Sequence, residues 1–292
     1  MKLFPSRMLA IPALLMTLAL GACGGIDTDL PTLTIPAPGV SSTTAQTLAT
    51  RAWIPALPDT WQLQTTGTVN AGYAATVFNI DLFNTSTATI QALQGAGKKV
   101  LCSFSAGNSD NLRADFPSFL PDDMGTPVEG AAGARWLDTR SENVRAVMQR
   151  RLDLAKRKGC DGVGPDRADG YTNRTGFDLT AATQRDYNRF LATEAHQRGL
   201  VVALKNNAEL VFELAEYFDL AINEQCHQYG ECEAYNAFVA AGKPVFNAEY
   251  ARIYQSEGSD RDALCAASKR LGMRTLVLST ALDDSYRYSC DE

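Results

Sequence analysis

The stretch GVGPDRADGY at 162–171 contains two acids and a base directly after a short apolar run. Asp166 ends the run, Arg167 adjoins it, and Asp169 follows three positions after Asp166. Acidic residues are poor strand formers and are expensive to bury without a partner. An acid at the end of a buried strand therefore needs a reason, and we interpret Asp166 as a residue that lines the mouth of an active site.

Other apolar runs also contain polar side chains at or near their ends. Those that could do chemistry are Asp81, Lys205, Asn206, Glu224, Glu249 and Tyr250. Two carboxylates across a cleft can cleave a glycosidic bond. One must be protonated to assist the leaving oxygen, and the other must be ionised to attack the sugar or activate water. Repulsion and partial burial can separate their pKa values in this way.

Two other chemistries remain open from the residues alone. A serine triad needs a histidine at a strand end, and His227 is the candidate, although no GxSxG elbow accompanies it. Lys205 could be a Schiff-base nucleophile, as in an aldolase, if a barrel desolvates it. The simpler interpretation of Lys205 is that it neutralises the surrounding acids.

Alternating apolar runs and helical patterns must position these residues. Strands are predicted at 61–65, 76–83, 99–106, 162–166, 201–206, 220–226, 244–250 and 275–280. Helices are predicted at 85–96, 143–158, 180–198, 208–217, 232–241 and 260–271. Strands that alternate with helices indicate a parallel sheet, and eight of them close a TIM (β/α)8 barrel. A doubly wound open sheet is the alternative, but no GxGxxG follows a strand.

The N-terminus has the pattern of an export signal. Lys2 and Arg7 precede an apolar run at 10–20 that is too short to span a membrane. The following LGAC resembles a bacterial lipobox, which implies cleavage before Cys23 and lipidation of its thiol. An ordinary signal peptide with a stray cysteine is the alternative. Gly24 is not the aspartate of the usual inner-membrane retention signal, so we expect an anchor at the outer membrane or cell surface.

This pattern divides the chain into a signal peptide at 1–22, a lipidated cysteine with a tether at 23–50, and one domain at 51–292. The tether is small, polar and proline-containing, with too little apolar bulk to form a core. The chain has 27 Lys and Arg against 33 Asp and Glu, a net charge of −6, which argues against a nucleic-acid partner. We expect a monomer without a cofactor, which touches the membrane through its lipid only.

Six cysteines remain once Cys23 is assigned to lipid, and an even number in an exported protein permits disulfides. Cys226 and Cys232 bracket a short loop, and Cys265 could tie down Cys290 near the C-terminus. Cys102 is either a buried thiol or a partner of Cys160. Metal binding is less favoured, because the chain has only two histidines and no CxxC pair.

Several stretches resemble the endo-α-1,4-polygalactosaminidase family, glycoside hydrolase family 114. They are WQLQ (61–64), VFNIDLFNTS (77–86), KKVLCSFSAGNSDNLRADF (98–116), RWLDTRSENVRAVMQRRLDLAKRKGCDGVGPD (135–166), DGYTNRTGFDLT (169–180), AHQRGLVVALKN (195–206), NEQCHQYGEC (223–232) and GKPVFNAEY (242–250). The resemblance implies a TIM-barrel hydrolase that cuts α-1,4-linked, galactosamine-rich polysaccharide, a material of microbial biofilms.

The resemblance also implies residue roles. The catalytic pair falls on Asp166 and Glu224, with Asp166 favoured as nucleophile and Glu224 as acid/base, and Glu249 is the local competitor. The sugar contacts or orienting groups would then be Asp81, Arg167, Asp169, Tyr171, Lys205, Asn206, Glu249 and Tyr250. The residues considered for stacking on sugar rings, or else for packing, are Trp53, Trp61, Trp136, Tyr73, Tyr171 and Tyr250.

Departures from the family pattern cluster around Asp166. The family usually has Glu-Pro-Asp-Asn where this chain has Gly164, Pro165, Asp166 and Arg167. The segment 131–136 likewise lacks the usual Trp and Glu before Arg135. Arg167 could lower the pKa of Asp166, which suits a nucleophile, but it could also repel a cationic sugar. A more acetylated substrate, or a catalytically silent lipoprotein that binds polysaccharide, therefore stays open.

Overall fold

A computed structural model describes residues 53–292, so the predicted signal peptide, Cys23 and the whole of the tether lie outside the described residues. The strands, in chain order, are β1 Trp61–Gln64, β2 Val77–Asp81, β3 Lys99–Ser105, β4 Asn108–Asp110, β5 Met124–Pro127, β6 Ala134–Leu137, β7 Gly162–Asp166, β8 Val201–Lys205, β9 Leu220–Glu224, β10 Val245–Glu249, β11 Met273–Leu278 and β12 Arg287–Ser289.

Eight of these strands lie parallel in one sheet, in the order β1-β2-β3-β7-β8-β9-β10-β11, and the short β12 pairs antiparallel with β11. The eight predicted strands are therefore confirmed. Ser105 of β3 lies opposite Asp166 of β7, and Ala248 of β10 lies opposite Glu224 of β9. This register brings the polar carboxyl ends of the strands to one edge of the sheet.

The sheet curls around an apolar interior rather than staying open. Trp61 of β1 stacks on Phe246 of β10 with ring centroids 5.1 Å apart, and its indole N–H donates to the Arg274 carbonyl of β11 at 2.9 Å. Leu101 of β3 and Ile222 of β9 belong to the same buried cluster. Residues from both ends of the sheet thus share one core, which is the arrangement of a TIM barrel.

Helices follow most strands and cover the outside of the sheet. They are α1 Thr87–Gly95, α2 Glu142–Lys158, α3 Ala181–Gln197, α4 Val211–Leu214, α5 Cys226–Tyr229, α6 Asn236–Ala240 and α7 Ser259–Arg270. In α2 the Ser141 hydroxyl caps the first turn, and Gly159 ends the helix at φ 83°. The predicted helices at 208–217 and 232–241 each form a 3-10 turn that leads into a short α-helix.

The connection from β3 to α2 holds a second, small sheet that the sequence did not predict. Its order is β4-β6-β5, with antiparallel pairs, and its strands are only three or four residues long. Such short and polar segments do not show a two-residue apolar alternation. A Cβ added to Gly107, just before β4, would lie 1.8 Å from the Arg167 carbonyl oxygen. This sheet is therefore packed tightly against the loop that follows Asp166.

Three disulfides tie the barrel together: Cys102–Cys160, Cys226–Cys232 and Cys265–Cys290. The first shows which alternative holds for Cys102, because Cys102 is bonded to Cys160. This bond joins β3 to the segment just before β7. The other two are the predicted pairs. Within 53–292, no helix combines the length and the apolar character needed to cross a membrane.

Candidate active site

A cleft of about 740 Å³ opens at the carboxyl ends of the barrel strands. All but one of the predicted site residues line it: Asp81, Asp166, Arg167, Asp169, Tyr171, Lys205, Asn206, Glu224 and Tyr250. They come from several strands that are distant in sequence. The parallel sheet brings them together because it places the ends of its strands side by side.

Lys205 joins the two predicted catalytic carboxylates. Its Nζ lies 3.1 Å from Asp166 Oδ2 and 3.4 Å from Glu224 Oε2. The three residues end the neighbouring strands β7, β8 and β9, and Lys205 is buried between two half-buried acids. One ammonium within reach of both carboxylates holds them near each other, and a pair of neighbouring carboxylates is what a two-carboxylate glycosidase needs.

The charges at this cluster stabilise one another. Burial alone would raise the pKa of Asp166, but the Lys205 ammonium and the backbone N–H of Arg167 outweigh burial and lower it. Arg167 contributes as predicted, though less than Lys205. Burial lowers the pKa of Lys205, and the two carboxylates more than reverse this and raise it. A lysine held protonated is a poor Schiff-base nucleophile, which argues against the aldolase.

Hydrogen bonds fix the two acids further. Tyr250 donates its hydroxyl to Glu224 Oε1 at 2.5 Å, and the Glu224 backbone N–H donates to Asn206 Oδ1 at 2.9 Å. The Arg167 N–H donates to Asp166 Oδ1 at 2.8 Å. Burial and the nearby Glu224 raise the pKa of Tyr250, so its hydroxyl keeps its proton and remains a donor.

The backbone turns sharply after each residue of this cluster. Arg167, Asn206 and Gln225, which directly follow Asp166, Lys205 and Glu224, have φ values of 58°, 55° and 66°. Non-glycine residues rarely adopt this left-handed conformation, and such strain collects where a structure holds a functional geometry. The three neighbouring strands thus end in the same uncommon way at the charged cluster.

Asp169 and Tyr171 lie on the loop after β7. Burial and the negative charge of Asp166 raise the pKa of Asp169 to about 6. Tyr171 donates its hydroxyl to Glu209 Oε2 at 2.8 Å. Glu209 also lines the cleft, and the sequence did not single it out because it follows β8 by several residues.

Asp81 forms an ion pair with Arg113, which the sequence did not predict. Arg113 Nη1 donates to Asp81 Oδ1 at 3.0 Å and Nη2 to Oδ2 at 2.8 Å, while the Asn84 backbone N–H donates to Oδ1 at 2.7 Å. Arg113 follows β4, in the connection whose structure the sequence did not indicate, so no local spacing links it to Asp81. The pair forms one wall of the cleft.

Glu249 is the predicted site residue that does not line the cleft. Its side chain is fully buried, and its Oε1 accepts hydrogen bonds from the His227 backbone N–H at 2.9 Å and from Asn247 Nδ2 at 3.2 Å. Burial raises its pKa. Because a sugar in the cleft does not reach a fully buried side chain, this placement favours an indirect role through the loop that follows Glu224.

His227 does not face the cleft as a triad histidine would. Its Nε2 lies 2.9 Å from Ser268 Oγ, and Ser268 is fully buried against Thr275, whose Oγ1 is 2.7 Å away. A buried hydroxyl cannot attack a substrate. Cys226, His227 and Cys232 come within metal-binding distance of one another, but their sulfur atoms are joined in a disulfide and offer no thiolate.

Gly164, where the resemblance expects a glutamate, is buried in β7 next to Ser103, which lines the cleft. A Cβ there would lie 2.8 Å from Ser103 Oγ and 3.8 Å from Asn79 Nδ2. Ser103 instead donates to Asn79 Oδ1 at 2.5 Å. A larger side chain would have to displace this pair, whereas Asp166 and Glu224 keep their contacts with Lys205.

An eight-stranded barrel with two carboxylates at its mouth has the arrangement of a barrel glycoside hydrolase. The chain belongs to the glycoside hydrolase family GH114, whose family model matches residues 42–292. It is a glycosidase, as the sequence resemblance implied. No curated protein matches the chain.

Two solved structures are similar to this one. The crystal structure of Aspergillus fumigatus Ega3 in complex with galactosamine has 36% sequence identity and a TM-score of 0.78, and the match covers 84% of this chain and 100% of that chain. The glycoside hydrolase domain of PelA from Pseudomonas aeruginosa has 17% identity and a TM-score of 0.59, with 77% and 96% covered. The second likeness supports the fold alone.

Proposed function

We propose that this chain hydrolyses an α-1,4-linked, galactosamine-rich exopolysaccharide, with Asp166 and Glu224 as its catalytic pair. The observation that carries the proposal is Lys205, whose Nζ lies within 3.4 Å of both carboxylates at the mouth of the barrel. The substrate class is supported by the 36% identity to Ega3, which was crystallised with galactosamine.

In this mechanism Asp166 attacks the anomeric carbon while Glu224 gives a proton to the leaving oxygen. Water then breaks the glycosyl ester as Glu224 takes a proton back. Lys205 lies nearer to Asp166 than to Glu224, and the Arg167 N–H also donates to Asp166. Negative charge is therefore better stabilised on Asp166, which favours it as the nucleophile.

The charge of the cleft suits a cationic sugar. Acidic lining residues outnumber the bases, with Asp169, Glu209 and Glu231 around the catalytic pair. Arg167 is an exposed base in the same cleft and would repel one ammonium group. A partly acetylated chain, with neutral sugars beside Arg167 and cationic sugars elsewhere, fits both observations.

The first experiment measures reducing ends released from partly deacetylated α-1,4-galactosaminogalactan by residues 51–292. We expect release by the parent and none by Asp166→Asn or Glu224→Gln. Activity that survives in Glu224→Gln would transfer the acid/base role to another residue. A parent that binds the polymer but does not cut it would be a carbohydrate-binding protein on a hydrolase barrel, and the proposal would fall.

We further propose that the protein is exported, cleaved before Cys23 and anchored by a lipid on that cysteine, with the barrel acting as a monomer outside the cell. The segment LGAC and the Gly24 that follows it carry this proposal. Extended at about 3 Å per residue, the tether would hold the barrel tens of ångströms from the membrane. Cys23→Ala should move the protein to the soluble fraction, and unchanged membrane association would refute the anchor.

A further inference from the structure

Tyr229 is unusual among the apolar and aromatic side chains of residues 53–292. It is 65% exposed and also lines the active-site cleft. The other exposed large hydrophobic residues, such as Phe212 at 88% and Leu112 at 87%, do not line it. An exposed ring in a cleft needs an explanation other than packing, because its hydration is lost only when a ligand covers it.

The short helix that carries Tyr229 is held firmly against the barrel. The disulfide Cys226–Cys232 closes the loop around it, and the Cys226 backbone N–H donates to Asn223 Oδ1 of β9 at 2.9 Å. The His227 N–H donates to the buried Glu249 at 2.9 Å. An aromatic ring on such a fixed element contacts a ligand with little loss of backbone freedom.

An acid accompanies this ring. Glu231 lies two positions further on, is half-buried and lines the same cleft, and its backbone N–H donates to the Cys226 carbonyl at 2.9 Å. Gly230 between them has φ 71°, so the chain reverses there. An aromatic face and a carboxylate that line the same cleft match a pyranose with an ammonium group, since the ring attracts cations and C–H faces and the acid pairs with the charge.

We infer that Tyr229 and Glu231 form a binding subsite for a hexosamine unit of the substrate chain, separate from the unit whose bond is cleaved. The inference rests on the proposed function and adds to it a specificity-determining site. Neither residue contacts Asp166, Lys205 or Glu224 through a hydrogen bond in the described part of the chain. Binding energy that is supplied at a separate sugar unit helps only substrates long enough to reach it.

The test is steady-state hydrolysis of α-1,4-galactosamine oligomers of increasing length by the parent and by Tyr229→Ala, with Tyr229→Phe and Phe212→Ala as controls. On long oligomers Tyr229→Ala should lose about threefold to tenfold in kcat/KM, mainly through KM, as expected for one aromatic contact with a cation. On the shortest oligomer that is cleaved, it should match the parent. Phe212→Ala lies outside the cleft and should match the parent on all lengths, whereas Tyr229→Phe keeps the ring and should restore most of the kcat/KM that Tyr229→Ala loses on long oligomers.

Glu231→Gln separates the charge from the ring. Glu231→Gln should lower kcat/KM on deacetylated oligomers, and the loss should become smaller with added salt. On fully N-acetylated oligomers that the parent still cleaves, Glu231→Gln should not lower kcat/KM. Equal kcat/KM for the parent and Tyr229→Ala on long oligomers, or an equal loss on every length, would overturn the subsite and leave the proposed function standing. A parent without turnover would overturn the proposed function and this inference with it.

Discussion

Two glutamates end neighbouring strands of the barrel, and they lie in very different surroundings. Glu224, at the end of β9, is half-buried, contacts Lys205 and Tyr250, and lines the cleft. Glu249, at the end of β10, is fully buried, and its Oε2 has no hydrogen-bond partner among the described residues. A strand end at the barrel mouth therefore does not by itself bring a carboxylate into the cleft, and of these two glutamates Glu224 alone combines partial exposure with a nearby cation.

The surroundings of each acid match a different task. The Lys205 ammonium lies 3.4 Å from Glu224 Oε2, which suits the catalytic role proposed for this acid. Burial raises the pKa of Glu249, and Glu249 instead accepts hydrogen bonds from His227 and Asn247. His227 belongs to α5, which begins two residues after Glu224. The buried Glu249 therefore supports the segment that follows Glu224.

The sharpest test of this contrast compares Glu224→Gln with Glu249→Gln. Glu224→Gln should lower kcat at least about a hundredfold, since an amide cannot donate and recover the proton. Glu249→Gln should keep kcat within about threefold, because its amide oxygen still accepts from the His227 N–H. The measurement is kcat on the amino-sugar polymer, with circular dichroism as the folding control. Inactive Glu249→Gln beside active Glu224→Gln would reverse the assignment.

Lys205→Met tests whether the cation is what distinguishes the two acids. Without the ammonium, burial and mutual repulsion raise the pKa of Asp166, so the fraction ionised falls about tenfold per pH unit below the new pKa. We expect the acid limb of the kcat/KM profile to move to higher pH, with at least about a tenfold loss at pH 5. Lys243→Met, which removes a lysine bound to the Ala215 and Phe218 carbonyls, should leave the profile in place. An unmoved profile in Lys205→Met would refute the electrostatic role.

Two of the disulfides lie in different regions of the barrel. Cys102–Cys160 joins β3 to the segment before β7, and Cys226–Cys232 closes the loop after Glu224. Removing Cys102–Cys160, whose cysteines are 58 residues apart, should lower the free energy of unfolding by about 4 kcal/mol, against about 2 kcal/mol for Cys226–Cys232, which are 6 apart. The order for activity should be the opposite, because Cys226–Cys232 holds the loop after Glu224. Urea unfolding and kcat/KM of the paired alanine variants measure both. The same order for both properties would mean that the short disulfide acts on stability only.

Asp169→Asn should have the smallest effect, on stability. The folded protein raises the pKa of Asp169 to about 6, so it binds the Asp169 proton more tightly than the unfolded chain does. Ionisation of Asp169 therefore lowers the free energy of unfolding of the parent as the pH rises from about 4 to about 6, and Asp169→Asn removes this contribution. We expect the melting temperature of Asp169→Asn to exceed that of the parent by at least about 2–4 °C at pH 7. At pH 4 the two should be equal, and a difference that is the same at both pH values would exclude titration of Asp169 as the cause.

Local patterns predicted most of the fold. The eight barrel strands and the six helical segments were predicted within a few residues. A buried strand is a short apolar run, and an amphipathic helix repeats its apolar residues every three to four positions, so both can be recognised from neighbouring residues. The small sheet β4-β6-β5 was not predicted, because its strands are too short and too polar to show one. Because this sheet was not predicted, the position of Arg113 and its ion pair with Asp81 were not predicted either.

The sequence by itself determined that Asp166, Lys205 and Glu224 end strands, since each follows its own apolar run. Only the tertiary structure decided that one ammonium bridges both acids, that Glu249 is fully buried, and that Tyr229 is exposed in the cleft. The physical reason is range. Strand formation depends on residues a few positions apart, whereas the charge and exposure of a side chain depend on segments that meet only when the barrel closes.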